Sequence, residues 1–185
     1  MKSAFLELIE MGTKFLSKSG VKLARFETMI LAEKTLNLEK LEFFTNSEIQ
    51  VNKNQKKKFL QRIVKRSKGK PISKICGKKE FFSNEFFVNN DVLDPRPESE
   101  LIVNVIKNIT DRYSNKKLRV LELGVGSGCL LISIFLELKN FNLSGIGVDI
   151  SERALVVTKK NIDKFELQKK ISLRKSNWFS NVSEK

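Results

Sequence analysis

From Phe5 onward, apolar residues (Phe5, Leu8, Ile9, Phe15, Leu16) recur at helical spacing, with charged residues between them. That period puts apolar side chains on one face of a helix, and Ser19-Gly20 supplies a stop. The same spacing predicts a second helix over Leu23–Leu36, carrying Phe26, Met29, Ile30 and Ala32, and a third from about Asn52 to Ser67. In the third, Phe59, Leu60, Ile63 and Val64 share one side, while Lys56, Lys57, Arg62, Lys65 and Arg66 lie elsewhere. Three short helices with short connections predict a small bundle.

The pattern breaks at Gly69-Lys70-Pro71. Glu80-Phe81-Phe82 and Glu85-Phe86-Phe87-Val88 then flank Ser83-Asn84, which predicts a β-hairpin with a two-residue turn. Leu93-Asp94-Pro95-Arg96-Pro97-Glu98-Ser99-Glu100 follows as an extended loop, and Pro97 with its trailing acids suits the start of a helix over Leu101–Ile109. From Leu118 the rhythm alternates. Leu118–Leu123, Ser144–Ile150 and Ile171–Arg174 are short apolar strands of the parallel kind, with helices over Cys129–Leu138 and Arg153–Phe165 between them. The expected class is α/β, with a parallel Rossmann-like sheet. The expected organisation is a helical domain at 1–70, a hairpin and Pro-rich linker at 71–100, and a sheet domain at 101–185.

Composition narrows the chemistry. The 185 residues contain no His, which removes imidazole bases, Ser-His-Asp and Cys-His nucleophiles, and HExxH zinc sites. Cys76 and Cys129 form no CxxC pair and read as reduced, buried thiols of a cytoplasmic protein. Met1–Phe5 runs into Glu7 and Glu10 rather than a signal peptide's apolar stretch, and no apolar run approaches the roughly 20 residues that span a bilayer. The expectations are a cytoplasmic chain, no membrane partner and no metal. The formal net charge is +14, yet 12 Lys or Arg and no acid lie between Lys53 and Lys79, so the remainder carries only 14 − 12 = +2. A solvated helix face is the default explanation of such a run; the other is a weak RNA or ribosome contact, or an acidic protein face, through 53–79. Phe59 is the only aromatic residue within the run, so base stacking is not expected, and any such binding should collapse as salt rises.

The most telling stretch is Glu122-Leu123-Gly124-Val125-Gly126-Ser127-Gly128, placed where a strand turns into a helix. A dinucleotide fingerprint needs GxGxxG, but Cys129 stands where its last glycine belongs. A pyrophosphate on this loop would be repelled by Glu122, whereas a donor with an ammonium, a sulfonium and no phosphate would be welcomed. S-adenosyl-L-methionine is such a donor. Asp149 lies 21 residues beyond Gly128, the usual offset for an acid that accepts ribose hydroxyls, and Trp178 follows the third strand where it could stack on adenine. The expected cofactor contacts are Glu122, Gly124, Val125, Gly126, Ser127, Gly128, Asp149 and Trp178. Plainer alternatives stand beside each: a simple tight turn, a Glu122 that caps or solvates the loop, and a Trp178 that serves the core.

Together with Gly69-Lys70-Pro71-Ile72, Gly77, Glu80-Phe81-Phe82, Phe86, Val88 and the Leu93–Glu100 segment, these motifs resemble the release-factor glutamine methyltransferase family, PrmC/HemK. The resemblance runs from about Leu23 to Ser180. It implies a helical substrate-binding domain, a hairpin linker and a class I methyltransferase sheet. It also implies N5-methylation, from S-adenosyl-L-methionine, of the GGQ glutamine of class-1 peptide-chain release factors. Three departures accompany it. Asp94 stands where the family is usually apolar, Asn177 where it often has Asp, and the family's catalytic Asn-Pro-Pro-Tyr is absent. No catalytic residue is therefore assigned. The expectation is a truncated sheet of about three strands whose first strand, Leu118–Leu123, lies at an edge. The rival readings are a nucleic-acid N-methyltransferase and a non-catalytic remnant that binds release factor.

Overall fold

The computed structural model describes residues 4–37, 49–110 and 117–182. It divides into two compact units, Met1–Cys76 and Gly77–Lys185. The segment expected as a linker is therefore shared: its short helix goes with the first unit, its hairpin and proline loop with the second.

The first unit contains α1 (Ala4–Lys18), α2 (Ala24–Leu36), α3 (Lys53–Ser67) and α4 (Ile72–Cys76). Helix α3 begins where Asn52 accepts the Gln55 N–H at 2.9 Å and the Gln55 side chain accepts the Asn52 N–H at 3.0 Å, a reciprocal capping box. Its buried side chains Phe59 and Ile63 meet Phe5, Leu8, Ile9 and Leu16 of α1 and Leu31 and Ala32 of α2. Each fully buried Leu or Phe contributes about 1.5–3 kcal/mol. In α2 the inward face is Thr28, Leu31, Ala32 and Leu36, while Phe26 is 61% exposed. The helix is apolar around much of its circumference, so periodicity alone does not choose the side. Arg66 of α3 reaches α2 through two bonds to the Glu27 carboxylate, which raises the already high pKa of the guanidinium.

α1 packs closely because Gly12 lacks a side chain. A Cβ there would stand 2.9 Å from Thr28 Cγ2 and 3.0 Å from Phe59 Cζ. Gly12→Leu is expected to destabilise the helical unit by about 1–3 kcal/mol, the usual range for overpacking. Urea unfolding followed by circular dichroism checks this, and an unchanged midpoint contradicts the packing described.

The second unit opens with the hairpin of β1 (Lys78–Phe81) and β2 (Asn84–Phe87). Phe81 pairs with Asn84, so the two turn residues are Phe82 and Ser83, one position earlier than the expected Ser83-Asn84. Both have left-handed backbones, at φ 47° and 58°, as a type I′ turn requires. Asn84 was the better candidate for that conformation by residue type. Tertiary contacts override it: the Phe82 ring packs against the core, and its N–H donates to the Glu100 carboxylate at 2.9 Å. A 3₁₀ turn over Pro97–Ser99 then leads into α5 (Glu100–Thr110), which begins one residue before and ends one after the expected helix.

The sheet consists of β3 (Leu118–Leu123), β4 (Leu143–Asp149) and β5 (Ile171–Lys175), all parallel in the order β3-β4-β5. Helices α6 (Cys129–Glu137) and α7 (Glu152–Lys164) form the crossovers. Leu131, Ile132, Ile134 and Phe135 of α6 pack with Val120, Leu143 and Ile171 in one core. The opposite face, with Arg119, Leu121, Ser144 and Ile146, borders an open cleft of about 380 Å³. Among the described residues β3 has one hydrogen-bonded neighbour, as the edge position expected for it implies.

Candidate functional site

Strands β3 and β4 end side by side, and Gly124–Gly128 turns there into α6. Three left-handed glycines, Gly124, Gly126 and Gly128, make the turn, at φ 72°, 54° and 77°. Gly128 is the residue that caps α6, and it has no side chain to do so. Glu122 takes over that work. Its Oε2 accepts the Leu131 N–H at 3.0 Å, satisfying an otherwise open donor at the positive end of the helix. Burial pushes the Glu122 carboxyl from its ordinary 4.5 to about 8; the Leu131 bond opposes the rise and the charge of Asp149 adds to it.

Asp149, the last residue of β4, is held at both oxygens. Oδ2 accepts the Gly126 N–H and Oδ1 the Ser151 N–H, each at 2.9 Å. The loop is thereby tied to the neighbouring strand, and the Val125 N–H adds a bond to the Val148 carbonyl at 2.8 Å. Val125 and Ser127 are buried, so what they present outward is backbone. A Cβ built on Gly124 would meet no atom within 4 Å, so the space over the loop is open.

Glu122, the glycine loop and Asp149 are thus brought together as the sequence led one to expect. Trp178 is 69% exposed, in a left-handed turn after β5. That turn is closed by Ser176, whose Oγ donates to the Trp178 carbonyl at 2.8 Å and accepts the Asn181 N–H at 2.9 Å. Burial pushes the Cys129 thiol up to about 11, which withholds a thiolate at neutral pH.

Two residues escaped the sequence reading. Thr158 of α7 donates to the Gly126 carbonyl at 2.7 Å. Asn161, one turn further on, donates to the Ser127 carbonyl at 2.8 Å. Both are fully buried. The available signal was two polar residues on the inward stripe of a helix that also buries Ala154, Val157 and Ile162.

A parallel sheet with a glycine loop at its carboxyl edge and an acid ending the next strand defines a Rossmann-like fold of the class I methyltransferase type. Accordingly, residues 95–185 match a family model described as lysine methyltransferase, and residues 7–77 match the PrmC N-terminal domain. A release factor glutamine methyltransferase of Leptospira interrogans is 38% identical over 159 residues, covering 85% of this chain and 54% of that protein. A bifunctional methyltransferase of Rickettsia conorii is 32% identical over 204 residues, covering 98% of this chain and 38% of that protein. Among solved structures, the N-terminal domain of human METTL16 in complex with SAH aligns with a TM-score of 0.47 at 13% identity, covering 86% of this chain and 59% of that one. The chain belongs to the PrmC/HemK family. It spans 38% and 54% of the lengths of these two sequence relatives.

Proposed function

We propose that this chain provides the donor-binding site and the substrate-recognition domain of an S-adenosyl-L-methionine-dependent methyltransferase acting on the GGQ glutamine of class-1 release factors. The observation that carries the donor half is the group formed by Glu122, the Gly124–Gly128 loop and Asp149 around open space at the ends of two adjacent strands. When bound, S-adenosyl-L-methionine supplies a methyl group already activated by its sulfonium.

The protein's task is then mostly orientation. Asp149 keeps lone pairs on each oxygen after accepting Gly126 and Ser151, and these receive the ribose hydroxyls. Glu122 faces the cationic end; a positive charge beside it favours its ionised form, so donor binding expels a proton. Trp178 offers an exposed indole as a stacking surface for adenine. A glutamine amide nitrogen is a poor nucleophile, and the acceptors that would aim it belong to Asn-Pro-Pro-Tyr, which this sequence does not contain. Binding of donor and partner is the role assigned to these 185 residues.

The helical unit receives the release factor. Lys53, Lys56, Lys57, Lys58, Lys65 and Lys68 stand exposed along and just beyond α3, suited to an acidic protein face. RNA is the rival anion.

Equilibrium dialysis with labelled S-adenosyl-L-methionine tests the donor site. Asp149→Asn, which keeps one acceptor for the loop but loses the charge, is expected to weaken binding about tenfold, the scale of one charge-assisted bond. Undiminished binding by that variant removes Asp149 from the site. Incubation with release factor and with RNA then locates any label. Label on lysine or RNA refutes the glutamine assignment.

A further inference from the structure

The hairpin and the glycine loop are far apart in sequence, yet they meet at one side chain. Asn161 Oδ1 accepts the Phe87 N–H at 2.7 Å, and Nδ2 donates to the Phe87 carbonyl at 3.0 Å and the Ser127 carbonyl at 2.8 Å. Both donor hydrogens and one acceptor position are used, with the side chain fully buried. The orientation of the amide is determined by its partners: exchanging O and N would set an oxygen against two carbonyls and a donor against the Phe87 N–H. To β2, at the edge of its two-stranded ribbon, the amide acts as a third-strand residue would, answering both backbone groups of Phe87.

The same face of α7 holds more of the neighbourhood. Ala154 and Val157 pack against Val88 and Val92, which continue the chain from β2 toward the proline loop. Thr158 binds the Gly126 carbonyl. Two successive loop carbonyls, Gly126 and Ser127, are therefore engaged by α7, while the loop N–H groups of Val125, Gly126 and Gly128 are bonded to Val148, Asp149 and Val125. The loop's height above the sheet is determined from both sides, and Asn161 is where the hairpin enters that determination.

We infer that Asn161 is a positioning residue for the donor loop, transmitting the placement of the β2 strand to the Ser127–Gly128 peptide. The inference rests on the donor reading given under Proposed function, but it has its own observable in the loop backbone. Asn161→Asp is the discriminating variant. Its carboxylate still accepts the Phe87 N–H but cannot donate to either carbonyl. Amide hydrogen exchange of the whole chain should then show Phe87 N–H protected as in the wild type, while Gly126 and Gly128 exchange about tenfold faster, the scale of one lost hydrogen bond. Affinity for S-adenosylhomocysteine should fall by a similar factor. Val103→Ala, a core change in α5, serves as the control for destabilisation alone and should leave the exchange ratio of Gly128 to Phe87 and the affinity unchanged.

Wild-type exchange at Gly126 and Gly128 in folded Asn161→Asp overturns the inference, as does an equal loss in Val103→Ala. If Asn161→Asp does not fold, Asn161→Thr, whose hydroxyl reaches one partner at most, should give the same pattern at smaller amplitude; wild-type loop exchange there also overturns it. If the wild type itself binds no S-adenosylhomocysteine, the donor reading falls, while the exchange data still decide the role of Asn161.

Discussion

Gly128→Ala is expected to destabilise the sheet unit by about 2–4 kcal/mol, combining the penalty of a left-handed alanine with that of overpacking. Gly128 sits at φ 77°, and an added Cβ would stand 2.6 Å from Thr158 Cγ2 and 3.3 Å from Ile132 Cδ1. Thr158 cannot step aside cheaply, because it is fully buried and its hydroxyl holds the Gly126 carbonyl. The two contributions can be separated. Thr158→Ser removes the methyl that collides but keeps the hydroxyl bond. Gly128→Ala combined with Thr158→Ser should recover the steric part and leave the backbone part. Urea midpoints of the four proteins form the cycle. Strict additivity would mean that the two residues do not meet.

The second large effect is a pH dependence. Glu122 ionises near 4.5 when unfolded but at about 8 when folded, chiefly because it is buried. Between those values the folded protein holds a proton that the unfolded chain releases, so stability declines as pH rises through the window and levels off above it. Each pH unit inside the window is worth at most about 1.4 kcal/mol. Glu122→Gln keeps an oxygen for the Leu131 N–H and has nothing to ionise. Its stability should therefore vary less, matching the wild type near pH 5 and exceeding it by a few kcal/mol near pH 8. The chain has no His, so few other groups titrate there and the comparison is unusually clean. Unfolding midpoints at four or five pH values decide it. A wild-type midpoint that rises relative to Glu122→Gln contradicts the placement of this carboxyl.

The glycine loop was legible because its conformational demand is local. Gly124, Gly126 and Gly128 announce left-handed backbone, and Asp149 stands at the distance one crossover helix requires. The parallel strands were legible because apolar residues crowd them, although β3 is covered on one face only, with Arg119 and Leu121 exposed on the other. The hairpin turn was misplaced by one residue because residue preference favoured Asn84, whereas the Glu100 carboxylate and a core pocket for the Phe82 ring decide the register. Asn161 and Thr158 were missed for a related reason. Their partners are backbone groups brought near by the fold, and a carbonyl leaves no trace in the sequence. The outward turn of Phe26 in α2 was hidden by a helix apolar on several sides. The basic run was plain as composition, but only the structure distinguishes Arg66, committed to Glu27, from the exposed lysines around it.

The order of the two units bears on how the chain is made. Everything that the helical core needs has been synthesised by Cys76, and α1, α2 and α3 all contribute buried side chains to it. It can close while the rest is still on the ribosome. The parallel sheet must wait: Leu118 finds Leu143 only after a whole crossover, and Gly145 finds Ile171 only after another. Nascent β3 therefore passes through an interval with its strand edges unpaired, the kind of exposure that slow non-local pairing brings.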